Sequence, residues 1–337
     1  MTTIVFSTDP HLSDKAPASR TDDWASSVIG KFDQVGQICR EVKADASVWG
    51  CDIFHLPEPS RNSHRLVNRL AQSLSLYPCD RYSNVGNHDC KYRDYKHLPD
   101  QPLETLFLGG GFKRLYDEHE ADVWAGGPND STVRVVGIPF HGYQYDLDRF
   151  RIEKGEEDYL MVVAHVLASP KKASMFDNED VIQYSQLLEL APDVDVWCFG
   201  HWHKDQGEVE IAPGKWVVNP GSLTRGALSI DELDRAPKCV VLRFEPDGIS
   251  VEARPLDVKP SKEIFNLEKR IQVEAREATM TQFVDKLNTM VKDRREGDFE
   301  DSIEVLKEQD EGAVTAEVAD RARTYIENAR ADLAGTV

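Results

Sequence analysis

The stretch RYSNVGNHDC, residues 81–90, sets an amide, an imidazole and a carboxylate side by side: Asn87, His88 and Asp89. Gly, Asn and Asp are ordinary turn residues, which is one reading. A metal ligand, a proton donor and its orienter is the other. Four further stretches offer the same kinds of group: Asp9 and His11 in FSTDPHL, Asp52 and His55 in GCDIFH, His165 in VVAHV, and His201 and His203 in FGHWH. Carboxylate, imidazole and amide oxygen without thiolate suit Mn²⁺, Fe²⁺ or Zn²⁺ and disfavour a cysteine-rich structural zinc site. The donors suffice for two ions, with Asp52 as the candidate bridge. Two ions about 3.5–4 Å apart can generate a hydroxide and clamp a phosphoryl group for in-line displacement. A histidine beside them can protonate the leaving oxygen.

Taken singly, each group has a plainer reading. Asp-x-His triplets occur by chance in many chains. Asp52 after an apolar run also suits a helix N-cap, and His165 between apolar residues also suits a hydrogen-bonded core histidine. The histidines of GHWH stand at i and i+2, on one side of an extended segment. What the plain readings do not explain is that all five groups come in order and each closes a strand-like run.

The elements that must position them alternate. TTIVFST reads as a strand ending at Asp9, and residues 24–43 carry Val28, Ile29, Phe32, Val35 and Ile38 at helical spacing. ASVWGCD reads as a strand ending at Asp52; residues 61–76 carry Leu66, Val67, Leu70 and Leu74 on one helical face; RYSNVG is the next strand. ADVWAG, TVRVVGIPF, YLMVVAHV, VDVWCFGH, KWVVNPGS, KCVVLRFEP and ISVEARPL follow as strands, with a helix near 181–190 and a PDG hairpin turn between the last two. Helices on the faces of a sheet are expected, and open sheets of this kind place their sites at the carboxyl ends of the strands.

A domain over residues 1–258 and a helical tail over 259–337 are expected. The tail has a capping box from Thr279 to Gln282 and two apolar stripes, Phe283–Leu287–Met290–Val291 and Val318–Ala322–Tyr325–Ile326–Ala329–Leu333. Residues 263–337 hold 18 acidic against 11 basic residues.

The 337 residues carry a formal charge of −19, which argues against coating nucleic acid through a broad basic surface but leaves a cation-dependent nucleic-acid enzyme open. No apolar run nears the ~20 residues of a membrane span. The N-terminus does not read as a signal peptide. Six scattered cysteines without a CxxC pair suit a reducing compartment, so a cytoplasmic location is expected.

The order D-x-H, strand-ending Asp, GNHD, lone His and GHxH resembles the calcineurin-like metallophosphoesterase family. The likeness covers about residues 1–225, including NPGS at 219–222. It implies an α/β fold of two β-sheets flanked by helices. It also implies one metal held by Asp9, His11, Asp52 and His203, and another by Asp52, Asn87, His165 and His201. His88 would be the catalytic histidine and Asp89 its orienter.

Within the family, GCDIFHLPEPSR is similar to the SbcD-type DNA repair nucleases and their phage recombination relatives. There a histidine at the position of His55 contacts the scissile phosphate. The expected function is therefore a DNA nuclease, exonuclease or endonuclease, in double-strand-break repair or recombination. Mn²⁺ is the expected ion, with Mg²⁺, Fe²⁺ and Zn²⁺ as alternatives. The tail would form a reduced DNA-capping region, dock an SbcC-type coiled-coil ATPase or pack on its own core, and two copies would pair through residues 61–76. Lys171 and Lys172 offer contacts to a phosphate backbone or a solvated loop. The family usually has Gly before the bridging Asp; here Cys51 stands there, and an inert buried thiol is expected, with an oxidisable one as the alternative. Two other functions compete: a phosphoesterase acting on small molecules, and a non-catalytic scaffold.

Overall fold

The computed structural model describes residues 1–115, 122–126, 130–171, 179–226, 233 and 235–266. One compact unit runs from Met1 to Phe265. Residues 267–337, with both helical stripes of the expected tail, lie outside the described residues.

Two six-stranded sheets form the body. In chain order the first elements are β1 (Thr2–Ser7), α1 (Trp24–Val42), β2 (Ala46–Trp49), α2 (His64–Ser75), β3 (Asp80–Ser83), α3 (Pro102–Leu108), β4 (Lys113–Arg114), β5 (Asp122–Ala125) and β6 (Val133–Ile138). There follow β7 (Tyr159–His165), β8 (Ala168–Ser169), β9 (Ile182–Gln183), α4 (Tyr184–Leu190), β10 (Val196–Gly200), β11 (Gly207–Ala212), β12 (Lys215–Asn219), β13 (Lys238–Glu245), β14 (Gly248–Pro255) and α5 (Ser261–Ile264). One sheet has the order β14-β13-β1-β2-β3-β4, the other β11-β12-β10-β7-β6-β5. This is the α/β sandwich of two sheets flanked by helices.

The period of two along a strand sorts the core into three layers. Ile4 and Phe6 of β1 face inward and meet Met161, Val163, Val196 and Cys198 of the opposite sheet. Val5 and Trp49 face outward and lie under α1 and α2 with Val28, Phe32, Leu66 and Leu70. On the far side, Val162, Ala164, Trp197 and Phe199 pack against Tyr184 and Leu187 of α4. Central strands buried on both faces read as unbroken apolar runs, which is why TTIVFS and YLMVVA lack alternation. Both long helices are capped: Asp23 accepts from Ser26 N (3.0 Å) and Ser63 from Leu66 N (3.1 Å).

β1, β2 and β3 are mutually parallel, so their carboxyl ends share one edge. β6, β7, β10 and β12 are parallel in the other sheet and do the same. Asn84 fastens the two edges together. Its backbone N–H bonds Trp49 O (2.9 Å), and its side-chain Nδ2 donates to Ile138 O (2.9 Å) and Val163 O (3.0 Å) across the sandwich. Asn84 is fully buried. Removing its amide takes away two buried hydrogen bonds between the sheets, at about 1 kcal/mol or more each. Asn84→Ala is therefore expected to cost about 2–3 kcal/mol, read from the urea midpoint; an unchanged midpoint would show that the sheets do not depend on this bridge.

Candidate metal centre

The candidate metal ligands and His88 sit at the edge that Asn84 fastens. Asp9 and His11 follow β1, Asp52 follows β2, Asn87 and His88 follow β3, His165 ends β7, and His201 and His203 follow β10. Sharp backbone turns aim them. Asp9, His11, Cys51, Asp52 and His201 all have positive φ, between 49° and 141°. Such conformations cost roughly 1–3 kcal/mol each for residues other than Gly and persist only where surrounding bonds hold them. Here Asp9 N bonds Cys51 O (3.1 Å), His11 N bonds Asp52 O (3.0 Å) and Leu12 N bonds Ile53 O (2.8 Å). The NPGS segment closes the other side: Ser222 Oγ donates to Asp9 O (2.7 Å), and Ser222 N to His203 O (3.0 Å).

Among the described residues the side chains converge in four groups: two share Asp52, a third joins Asp9, Cys51 and His165, and a fourth joins His11, His55 and His88. One ligand atom from each of Asp9, His11, Asp52 and His203 lies within 4.8 Å of the others, and the same holds for Asp52, His165 and His201. Asn87 Oδ1 lies 2.8 Å from His165 Nε2 and joins the second group. Asp52 belongs to both. Its Oδ1 accepts from His88 N (2.9 Å), while Oδ2 has no hydrogen-bond partner although the residue is fully buried. That oxygen faces His165 Nε2 at 3.4 Å and His11 Nε2 at 3.7 Å. Gly86 leaves room for it, since a Cβ there would collide with Asp52 Oδ1. A buried carboxylate oxygen without a donor, ringed by imidazoles, fits a cation. Two divalent ions fit this donor set, one on Asp9, His11, Asp52 and His203, the other on Asp52, Asn87, His165 and His201.

The electrostatics agree with that use. Burial alone would raise the Asp52 carboxyl, but the imidazoles of His165, His88 and His11 outweigh it and hold it well below the usual carboxylate range. Burial, aided by Asp52, raises the Asp9 carboxyl. Burial and the neighbouring His203 push His11 well below the usual imidazole range, so its ring is neutral and can donate a lone pair.

Two residues, Asp89 and Cys51, differ from the sequence-based expectation. Asp89 does not orient His88. Its carboxylate is buried and accepts from Gly86 N (3.1 Å) and Phe54 N (3.2 Å), fixing the GNHD turn. The orienter is the His55 carbonyl, which receives His88 Nδ1 at 2.7 Å. His55 stacks on the His88 ring at 5.5 Å, so it does lie at the centre. Cys51 is fully buried, but it is no isolated core thiol: its sulfur touches His165 Nδ1. Lys171 is exposed beyond β8, and Lys172 lies outside the described residues.

Glu179 carried no sequence signal. It receives His201 Nε2 at 2.8 Å and the Tyr145 hydroxyl at 2.7 Å. Burial lowers His201, yet the bond to Glu179 and its charge outweigh this and raise it. A carboxylate on the far nitrogen of a ligating histidine fixes the tautomer and the ring. Nothing in the DNED stretch distinguishes Glu179 from its acidic neighbours.

The sequence pattern of the calcineurin-like phosphoesterase family matches residues 2–205. The chain belongs to that family, and with it to the dimetal-dependent metallophosphoesterase hydrolases. Solved structures share the fold. A dimetal phosphatase from Danio rerio is 11% identical over 75% of this chain and 96% of its own, with a TM-score of 0.50. A Staphylococcus aureus protein assigned, provisionally, as a 5′-nucleotidase is 16% identical over 76% of this chain, also with a TM-score of 0.50. The match spans 55% of that protein's own length. No curated protein sequence matches this one. Among the described residues no helix is long and apolar enough to cross a membrane.

Binding of the ions stabilises the fold by mass action. At a hundredfold excess over the dissociation constant each site adds about 2.7 kcal/mol, or roughly 5–10 °C in melting temperature. Mn²⁺ against a chelator is expected to show that shift. His203→Ala is expected to lose one ion by elemental analysis and about half of the shift; full metal content in the variant would remove His203 from the ligand set.

Proposed function

We propose that this metallophosphoesterase is a DNA nuclease that hydrolyses phosphodiester bonds. The observation that carries the reading is the rim of the metal centre. His55 and His203 are exposed and His88 is partly so, so the centre faces outward. From His201 the ring contacts run outward through Phe140 (5.6 Å) to Tyr143 (5.6 Å), and the Arg93 guanidinium lies over Tyr143 at 4.9 Å. Lys91 and Tyr92 precede it, with the Lys91 ammonium 5.0 Å from the Tyr92 ring centroid and Tyr92 itself 76% exposed. Tyr92 and Arg93 hold φ of 57° and 59°, a strained pair four and five residues from His88. Cations interleaved with exposed aromatic faces suit a strand with charged backbone and stacking bases. They give a local basic surface on a chain whose total charge is −19.

Asp9, His11, Asp52, Asn87, His165, His201 and His203 hold the cations in this reading. When bound, the ions polarise the phosphoryl oxygens and offset the charge that develops on them. His88, its ring fixed through Nδ1, presents Nε2 to the departing oxygen and gives it a proton. His55, stacked beside it, contacts the phosphate being cut. Burial, followed by the nearby His88, lowers the His55 ring below the usual imidazole range, so it enters as a neutral donor and acceptor. In the same reading Mn²⁺ is the working ion, residues 259–337 dock a coiled-coil ATPase, and two copies pair through α2. The acidity of the tail supports a protein partner over DNA for that segment.

End-labelled linear duplex DNA tests the reading. With Mn²⁺ the wild type is expected to digest it, and His88→Ala to lose about a hundredfold or more in rate with metal content unchanged. Hydrolysis of an aryl phosphodiester without any cutting of DNA would move the substrate to a small molecule. Full turnover by His88→Ala would end the role assigned to that histidine.

A further inference from the structure

Cys51, directly before Asp52, sits at a φ of 141° that favours glycine. A side chain kept at such a backbone angle invites the question of what it does. Its sulfur touches His165 Nδ1. The Thr8 hydroxyl borders Gly200 together with this sulfur and donates to Asp9 Oδ2 at 2.7 Å. Thr8, Asp9, Cys51 and His165 are all fully buried. Two glycines shape the space around them. A Cβ on Gly50 would strike Thr8 Oγ1, and one on Gly200 would crowd Thr8 Oγ1, Asp9 Oδ2 and Cys51 Sγ together.

The direction of this chain follows from its far end. The Thr8 proton is used on Asp9, so the Thr8 oxygen is free to take the thiol proton. The sulfur lone pair is then left to accept from His165 Nδ1–H. That assignment leaves a lone pair on His165 Nε2, which faces Asn87 Oδ1 at 2.8 Å and Asp52 Oδ2 at 3.4 Å. Three acceptors then meet with no proton among them, the arrangement a cation requires.

We infer that Cys51 is a positioning residue of the metal centre: its thiol, in the buried chain His165–Cys51–Thr8–Asp9, fixes the ring and tautomer of His165 for the ion on Asp52, Asn87 and His165. The chain also links His165, in one ligand group, to Asp9, in the other. The inference rests on the metal centre and is independent of the choice of substrate.

Mn²⁺ titration by calorimetry on the full-length protein tests it, with Asp52→Ala as the control that loses both ions. Cys51→Ala is expected to weaken one of the two binding events by about 10–100-fold and leave the other within a few-fold. Cys51→Ser, which keeps a donor and an acceptor, is expected to restore most of the loss. Cys51→Gly suits the backbone angle and lacks the thiol; it is expected to fold and to bind as weakly as Cys51→Ala. In the Co²⁺-loaded wild type no thiolate-to-metal charge-transfer band is expected. Wild-type affinity in both Cys51→Ala and Cys51→Gly would overturn the inference. So would equal weakening in Cys51→Ser and Cys51→Ala, which would mark a packing role. A charge-transfer band lost in Cys51→Ser would place the sulfur on the metal itself.

Discussion

Asp52 is buried to the last atom and one of its oxygens lacks a hydrogen-bond donor. A fold tolerates such a group only if something else answers its charge. Here a backbone N–H from His88 meets one oxygen, and the other is turned toward His11 from the β1 side and His165 from the end of β7, a donor set from both sheets that a cation fits. The parallel strands set this up, because they bring their carboxyl ends to one edge in each sheet. The Asn84 bridge then sets one edge against the other. Without that alignment the carboxylate would be an uncompensated buried charge.

The strain around Asp52 follows from the same constraint. Ligands arriving from five strand ends cannot all reach one point along extended backbone. The chain therefore turns through positive φ at Asp9, Cys51, Asp52 and His201 immediately after the strands. Each turn is held by a bond to a neighbouring turn, as with Asp9 N on Cys51 O and His201 N on Asp9 Oδ1 (3.1 Å). The NPGS loop adds Ser222 on the Asp9 carbonyl. The turns thus support one another, which is how a site can be rigid while its residues sit in unfavourable conformations.

Much of this was legible in the sequence because it depends on periodicity and order. The α1 pattern reads off Val28, Phe32 and Val35, and the observed helix covers Trp24–Val42. The strand-ending Asp and His residues were visible as a set because each follows an apolar run. What was not legible depends on packing between distant segments. Asn84 looks like any polar residue in RYSNVG, and its function as a bridge exists only once β6 and β7 lie opposite. The same strand was read too long, since β3 stops at Ser83 so that Asn84 can turn away. Glu179 lies 22 residues from the His201 it orients, in a polar stretch with no pattern. Asp89 was misread because its neighbour in sequence is not its neighbour in space: its carboxylate points inward to two backbone amides.

The choice between substrates turns on a balance of charges. The chain is strongly acidic overall, and screening confines electrostatic attraction to about 8–10 Å at physiological salt. A polyanion therefore responds to what lies within that range of the centre, not to the total. Nearest to it stand the imidazole cluster and the cations that the cluster fits; in the proposed function the Lys91–Arg93 segment, reached from His201 through Phe140 and Tyr143, extends that surface. An enclosed pocket would reward a small ester by surrounding it. In the proposed function, a centre with His55, His88 and His203 on its outer side suits a substrate that lies across it, and the exposed Tyr92 face offers what a nucleobase needs and a free phosphate does not. That reading rests on the rim more than on the metal centre itself.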